Sequence, residues 1–178
     1  PWVVCLGCGL SLFTVMGLGV NVFTVYQPHL LLVHGFTNAQ GSWITTVRSL
    51  FALLSMLTVD QLCRRLGLRN TMVLGMGCFV GSYLLFGFAH SFSAYCGGAV
   101  LSGLAYGYGG MIPLTLVISR WFPTGRGFAL GMAAAGSGIS TIFAPPLITG
   151  AIQALGLSAA FLWEAAAGVL LTLLVYLL

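Results

Sequence analysis

The stretch Gly41-Ser-Trp-Ile-Thr-Thr-Val-Arg48-Ser-Leu-Phe-Ala-Leu-Leu-Ser-Met-Leu-Thr-Val-Asp60-Gln-Leu-Cys-Arg64-Arg65-Leu-Gly-Leu-Arg69 decides the fold. Up to Val59 it holds one charge, Arg48, in a run long enough to cross a bilayer, for which about 20 mostly apolar residues suffice. It then gathers one acid and three arginines within ten residues, as a membrane helix does on reaching an interface. The remaining charges are as sparse. Arg120 and Arg126 form a second cluster, and Glu164 stands alone in an apolar stretch.

The whole chain shares this character. It is 59% hydrophobic and 4% charged, with a mean hydropathy of +1.06. Soluble domains carry about 25% charged residues, so the solvent for this chain is the lipid bilayer. The net charge of +4 comes from arginine alone. A basic balance can signal nucleic acid, but these arginines lie at the ends of apolar runs, where membrane orientation explains them. No nucleic-acid partner is expected. Cys5-Leu-Gly-Cys8 has CxxC spacing but no acidic or histidine neighbour, so small packing residues are expected there and no metal or cofactor. Enzyme patterns are missing too. There is no HExxH and no paired intramembrane carboxylates, and the glycine-rich stretches 107–110 and 136–138 lack the Lys-Ser/Thr of a phosphate loop. The first apolar stretch is too long for a cleavable signal peptide. Neither end shows the charged or aromatic flank of a membrane interface, so both ends, Pro1 and Leu178, read as trimmed.

Six spans fit, at about 3–27, 41–62, 70–89, 93–119, 127–152 and 157–178. Together they predict a single all-α membrane domain, a six-helix bundle over 1–178. Pro28 is expected to end span 1, and 64–70 to separate spans 2 and 3. His90-Ser91, Pro123-Thr124-Gly125 and Gly156 mark the later breaks. Arginines occupy only loops 2–3 and 4–5, which the positive-inside rule makes cytoplasmic, together with both termini. His29, His34 and His90 then fall in outer loops. Small-xxx-small spacing (Gly77 and Gly81; Gly103 and Gly107; Gly127, Gly131 and Ala135) predicts close helix approach. Pro113 and Pro145-Pro146 are expected to interrupt spans 4 and 5.

Two segments carry a family resemblance. Asp60, Arg64 and Arg65 match the G-x-x-x-D-R-x-G-R-R signature between the second and third helices of the major facilitator superfamily; Met56, Gln61 and Cys63 depart from it. Residues 119–140 are similar to the W-F-x-x-x-R-x-x-A-x-G-x-A-x-A-G-x-G run of monocarboxylate and oxalate/formate transporters. Trp121, Phe122, Arg126, Ala129, Gly131, Ala133, Ala135, Gly136 and Gly138 carry that match. The resemblance implies the N-terminal six-helix half of a twelve-helix fold, built as a 3+3 repeat. It implies secondary active transport of a small organic anion by alternating access, by symport or antiport, in the plasma membrane. Asp60, Arg64, Arg65 and Arg126 would then be gating residues. A second six-helix half is required, as a missing C-terminal portion, a separate chain or a homodimeric copy.

Arg48 is the leading site candidate. A guanidinium inside a span costs at least about 2.5–3.5 kcal/mol, so it must face a cavity or a partner. Its planar fork suits a carboxylate, and Thr45, Arg48, Ala52 and Ser55 share one helix face. The resembling transporters place a substrate-binding arginine in the helix related to span 2 by pseudo-symmetry. A structural ion pair or a carbonyl-capping role is the alternative. Asn21 and Gln27 in span 1, and Tyr106 and Tyr108 in span 4, are further substrate-binding candidates, with interhelical bonding as their alternative. Glu164 is a candidate proton carrier or a structural partner. Two functional alternatives stay open: a transporter of a non-anionic solute with the same fold, and a non-transporting assembly or sensor module.

Overall fold

The computed structural model describes residues 2–177, and every side chain among them except that of His34. Among these residues there are six helical spans of membrane length and no strands. Span 1 is composite: α-helix Trp2–Leu12, π-helix Phe13–Asn21 and α-helix Phe23–His34. Spans 2 and 3 are Asn38–Leu66 and Leu68–Phe88. Span 4 has two pieces, Phe92–Gly109 and Met111–Trp121, while spans 5 and 6 are Arg126–Leu155 and Leu157–Leu177. The end of the sixth expected span, Leu178, and Pro1 lie outside the described residues.

Prolines and glycines act differently from their sequence reading. Pro28 does not end span 1; the helix runs on to His34 and stops at Gly35, whose φ of 64° is left-handed. In lipid a free backbone group costs several kcal/mol, so giving up one hydrogen bond at Pro28 is cheaper than ending the helix there. His29 therefore lies inside span 1 rather than in a loop, with Nδ1 3.1 Å from the Val25 carbonyl. Span 4 breaks at Gly110, not at Pro113. Pro113 falls in the first turn of the second piece, where its missing N–H would have no intrahelical partner anyway. The break frees the Gly109 carbonyl, which accepts from Ser11 Oγ at 3.0 Å. Span 5 continues through Pro145 and Pro146.

The expected loop 64–70 contracts to Gly67 alone, at φ 85°. Arg64 and Arg65 end span 2, Arg69 lies in the first turn of span 3, and Arg126 opens span 5. The chain ends do carry aromatic flanks at this arginine-bearing end. Trp2 meets Phe122 and Phe128 edge-on at 5.4 and 6.3 Å. The Arg69 guanidinium lies 4.6 Å from the Tyr176 ring centroid and donates to the Tyr176 carbonyl. The helical hydropathy pattern could not show this, because both aromatics sit within runs that are apolar on every side.

Of the small-residue pairs, Gly103 and Gly107 bring backbones together. A Cβ at Gly103 would lie 2.9 Å from the Ala52 nitrogen, and one at Gly107 2.6 Å from Ser55 Cβ. Ser55 Oγ donates to the Gly103 carbonyl at 3.1 Å across the same seam. Gly77, Gly127 and Gly131 face open space. The core is an aromatic cluster between spans 1, 3, 4 and 6. Tyr26 stacks on Phe161 at 4.1 Å, and Phe86 stacks on Tyr95 at 5.8 Å. Spans 2 and 5 bury the least of their surface.

Candidate functional site

The π-helical stretch in span 1 organises the site. A π-helix is rare, and its widened turn departs from the regular i to i−4 bonding. Here it spans Phe-Thr-Val-Met-Gly17-Leu-Gly19-Val-Asn21, whose two glycines let neighbours close in. A Cβ at Gly19 would lie 3.1 Å from the Phe79 ring, and Gly17 lies against Ser140 of span 5. The Leu18 and Gly19 carbonyls are taken by side chains from other spans. Tyr83 Oη donates to both, at 3.1 and 3.3 Å.

Arg48 donates from Nη2 to the same Gly19 carbonyl at 3.0 Å, and its guanidinium carbon lies 5.0 Å from the Phe23 ring centroid. The side chain is half-buried, and no carboxylate pairs with it among the described residues. One partner therefore uses a small part of a five-donor fork. Tyr83 and Tyr106 are near enough to feel its charge. Asn21 stands two residues beyond Gly19, with Nδ2 donating to Thr141 Oγ1 of span 5 at 2.7 Å. Arg48 and Asn21 thus meet at the π stretch.

The other substrate candidates lie further off along the helices. The Gln27 amide borders Gly41, seven residues from Arg48 or about 10 Å along span 2. Tyr108 Oη shares a 3.0 Å hydrogen bond with Thr58 Oγ1, about 15 Å from Arg48 in the other direction. Asp60 pairs with Arg64 one turn away on its own helix at 2.9 Å, and both side chains are well exposed. Such surface pairs are worth about 0–1 kcal/mol. Arg65 and Arg126 are exposed as well.

Glu164 is 1% exposed. Its Oε2 accepts from Tyr26 Oη at 2.7 Å, while Oε1 has no hydrogen-bond partner. Ser140 Oγ is likewise buried without one. Tyr26 and Tyr83 meet edge-on at 6.3 Å. Two polar groups therefore sit in the core, Arg48 and Tyr83 on the Gly19 carbonyl and Tyr26 on Glu164, joined by the contact of the two tyrosine rings. Neither tyrosine stood out in the sequence, because nothing in a uniformly apolar helix shows which face a hydroxyl takes. No group of three His, Cys, Asp or Glu able to hold a metal occurs among the described residues.

The sequence of this chain is similar to known proteins. The Major Facilitator Superfamily profile matches residues 8–178. An MFS-type transporter of Aspergillus niger, pynF, is 25% identical over 147 residues, covering 80% of this chain and 33% of that protein. The chain thus spans about a third of the length of that curated relative. With six membrane-length helices, a midspan arginine and a profile match over nearly its full length, the chain is an integral membrane protein that belongs to the major facilitator superfamily.

Proposed function

We propose that this chain is a six-helix half-unit of a secondary transporter that moves a small organic anion by alternating access, in the manner of the monocarboxylate and oxalate/formate group. One observation carries the reading: the Arg48 guanidinium is held within its span by one backbone carbonyl and the Phe23 ring, with no carboxylate paired to it among the described residues. A carboxylate can displace that carbonyl and form the stronger, charge-assisted pair. Asn21 and Tyr106 would supply neutral hydrogen bonds to it, and Gln27 and Tyr108 would line the path on either side. Asp60, Arg64, Arg65 and Arg126 would gate the arginine-bearing end. The least buried spans, 2 and 5, would face a second six-helix half, whether a C-terminal portion, another chain or a second copy. The arginine pattern supports cytoplasmic termini, and the resemblance to the monocarboxylate and oxalate/formate group supports a plasma-membrane location.

The Gly19 bond also favours a second reading, a transporter of a non-anionic solute in which Arg48 only caps a π-helical carbonyl. Uptake of labelled carboxylates into proteoliposomes separates the two. With the complete transporter, Arg48→Gln should keep a donor for Gly19, and therefore the fold, while abolishing anion uptake. Wild-type carboxylate uptake by Arg48→Gln removes Arg48 as the anion-binding residue, and no carboxylate uptake by the unaltered transporter removes the anion reading.

A further inference from the structure

At the arginine-bearing end, spans 1, 3, 4 and 6 part to leave a cleft of ≈ 360 Å³. That lies within the range of pockets that hold small ligands, about 300–1,000 Å³. Its interior is apolar, with Val4, Met72, Val117 and Val175 on its walls. Two arginines stand on it from different spans, Arg69 in the first turn of span 3 and Arg120 in the last turn of span 4. Arg69 is held in place by the Tyr176 ring and carbonyl. Arg120 is exposed, and no ion pair engages either side chain among the described residues. The nearby acid, Asp60, is already paired with Arg64. Trp121 borders the cleft, and indole rings favour the headgroup level of a bilayer.

Cationic donors at the rim and an apolar interior below match an anionic amphiphile. Guanidinium groups bind phosphate oxygens in a charge-assisted, bidentate way, and the aliphatic walls suit an acyl chain. The cleft shares no lining residue with the substrate and gating candidates named above. We propose that it is a binding site for one anionic phospholipid, its phosphate between Arg69 and Arg120 and an acyl chain among Val4, Met72, Val117 and Val175.

The test is native mass spectrometry of the complete transporter, purified in neutral detergent and titrated with phosphatidylserine or phosphatidylcholine. Wild type should retain one phosphatidylserine and release phosphatidylcholine. Arg69→Gln combined with Arg120→Gln should weaken phosphatidylserine retention by about thirty-fold, given roughly five-fold per basic side chain at a membrane surface. Arg126→Gln removes a neighbouring charge outside the cleft and should stay within about two-fold of wild type. Val117→Trp fills the cleft, leaves both arginines and should also lose the lipid. If the double variant does not fold, Arg120→Gln alone serves, because that side chain holds no internal bond. Equal retention of phosphatidylcholine overturns the proposal. So does an equal loss in Arg126→Gln, which would mean diffuse charge attraction. Displacement by millimolar inorganic phosphate would mean a free-anion site and overturns it as well.

Discussion

The Tyr26–Glu164 contact gives a test whose size follows from the geometry. Tyr26→Phe removes one hydroxyl and leaves the ring on Phe161, 4.1 Å away. The 2.7 Å bond to Glu164 Oε2 is lost. Since Oε1 already has no partner, the carboxyl is then left with neither oxygen satisfied at 1% exposure. Leaving a buried acceptor unpaired costs about 1–3 kcal/mol. Glu164→Met, an unbranched apolar replacement, strands the tyrosine hydroxyl instead and should cost about 1–3 kcal/mol, reduced by contact with Leu18, Leu147 and Trp163 around it. The double variant strands nothing, so it should lie within about 1 kcal/mol of wild type. The coupling between the two positions should therefore be at least about 1 kcal/mol, toward the upper part of the usual range of about 0.5–3 kcal/mol for touching residues. Thermal and denaturant unfolding of the detergent-solubilised protein, followed by tryptophan fluorescence, measures all four corners of the cycle. Additive losses, or Tyr26→Phe within about 0.5 kcal/mol of wild type, would refute the view that these groups exist as a satisfied pair.

Three further outcomes follow from single contacts. Gly107→Ala places a Cβ against Ser55 at 2.6 Å and should destabilise by about 1–3 kcal/mol, lowering the unfolding midpoint, whereas Gly127→Ala faces open space and should change it by less than about 0.5 kcal/mol. Asp60→Asn breaks an exposed one-turn pair, so stability should move by less than about 0.5 kcal/mol while the gating role predicts slower uptake in proteoliposomes; unchanged uptake removes Asp60 from the gate. Pro113→Ala should shift stability by no more than about 0.5 kcal/mol, because the residue occupies the first turn of its helix, and a large loss would show that the break at Gly110 depends on the proline.

Much of the architecture was legible because the bilayer allows few solutions. Sparse charge and run length located six spans, and the arginine clusters marked one end of the bundle. What stayed hidden concerns faces and backbone. Phe13–Asn21 reads as ordinary apolar helix, and no residue in it announces a π turn. The depth of Arg48 could be counted, but its partner is the Gly19 carbonyl, a group every residue carries. Glu164 was visible as a lone acid, whereas Tyr26 and Tyr83 were two among six tyrosines until packing turned them inward. Pro28 misled because a proline that stops a helix in water is retained inside one in lipid.

The glycine seam between spans 2 and 4 has a mechanical consequence. Where backbones touch through Gly103 and Gly107, neither helix can slide or roll without a collision. The same holds between spans 3 and 4, where Gly75 lies against the Gly109 backbone. Spans 2, 3 and 4 therefore make a stiff plate. Spans 1 and 5 share a seam of their own, where Gly136 lies against the Gly9 backbone and Gly17 against Ser140. Arg48 belongs to the plate, while its carbonyl partner belongs to the pair formed by spans 1 and 5. That bond therefore bridges two separately locked pieces, and any shift of one against the other must stretch or break it.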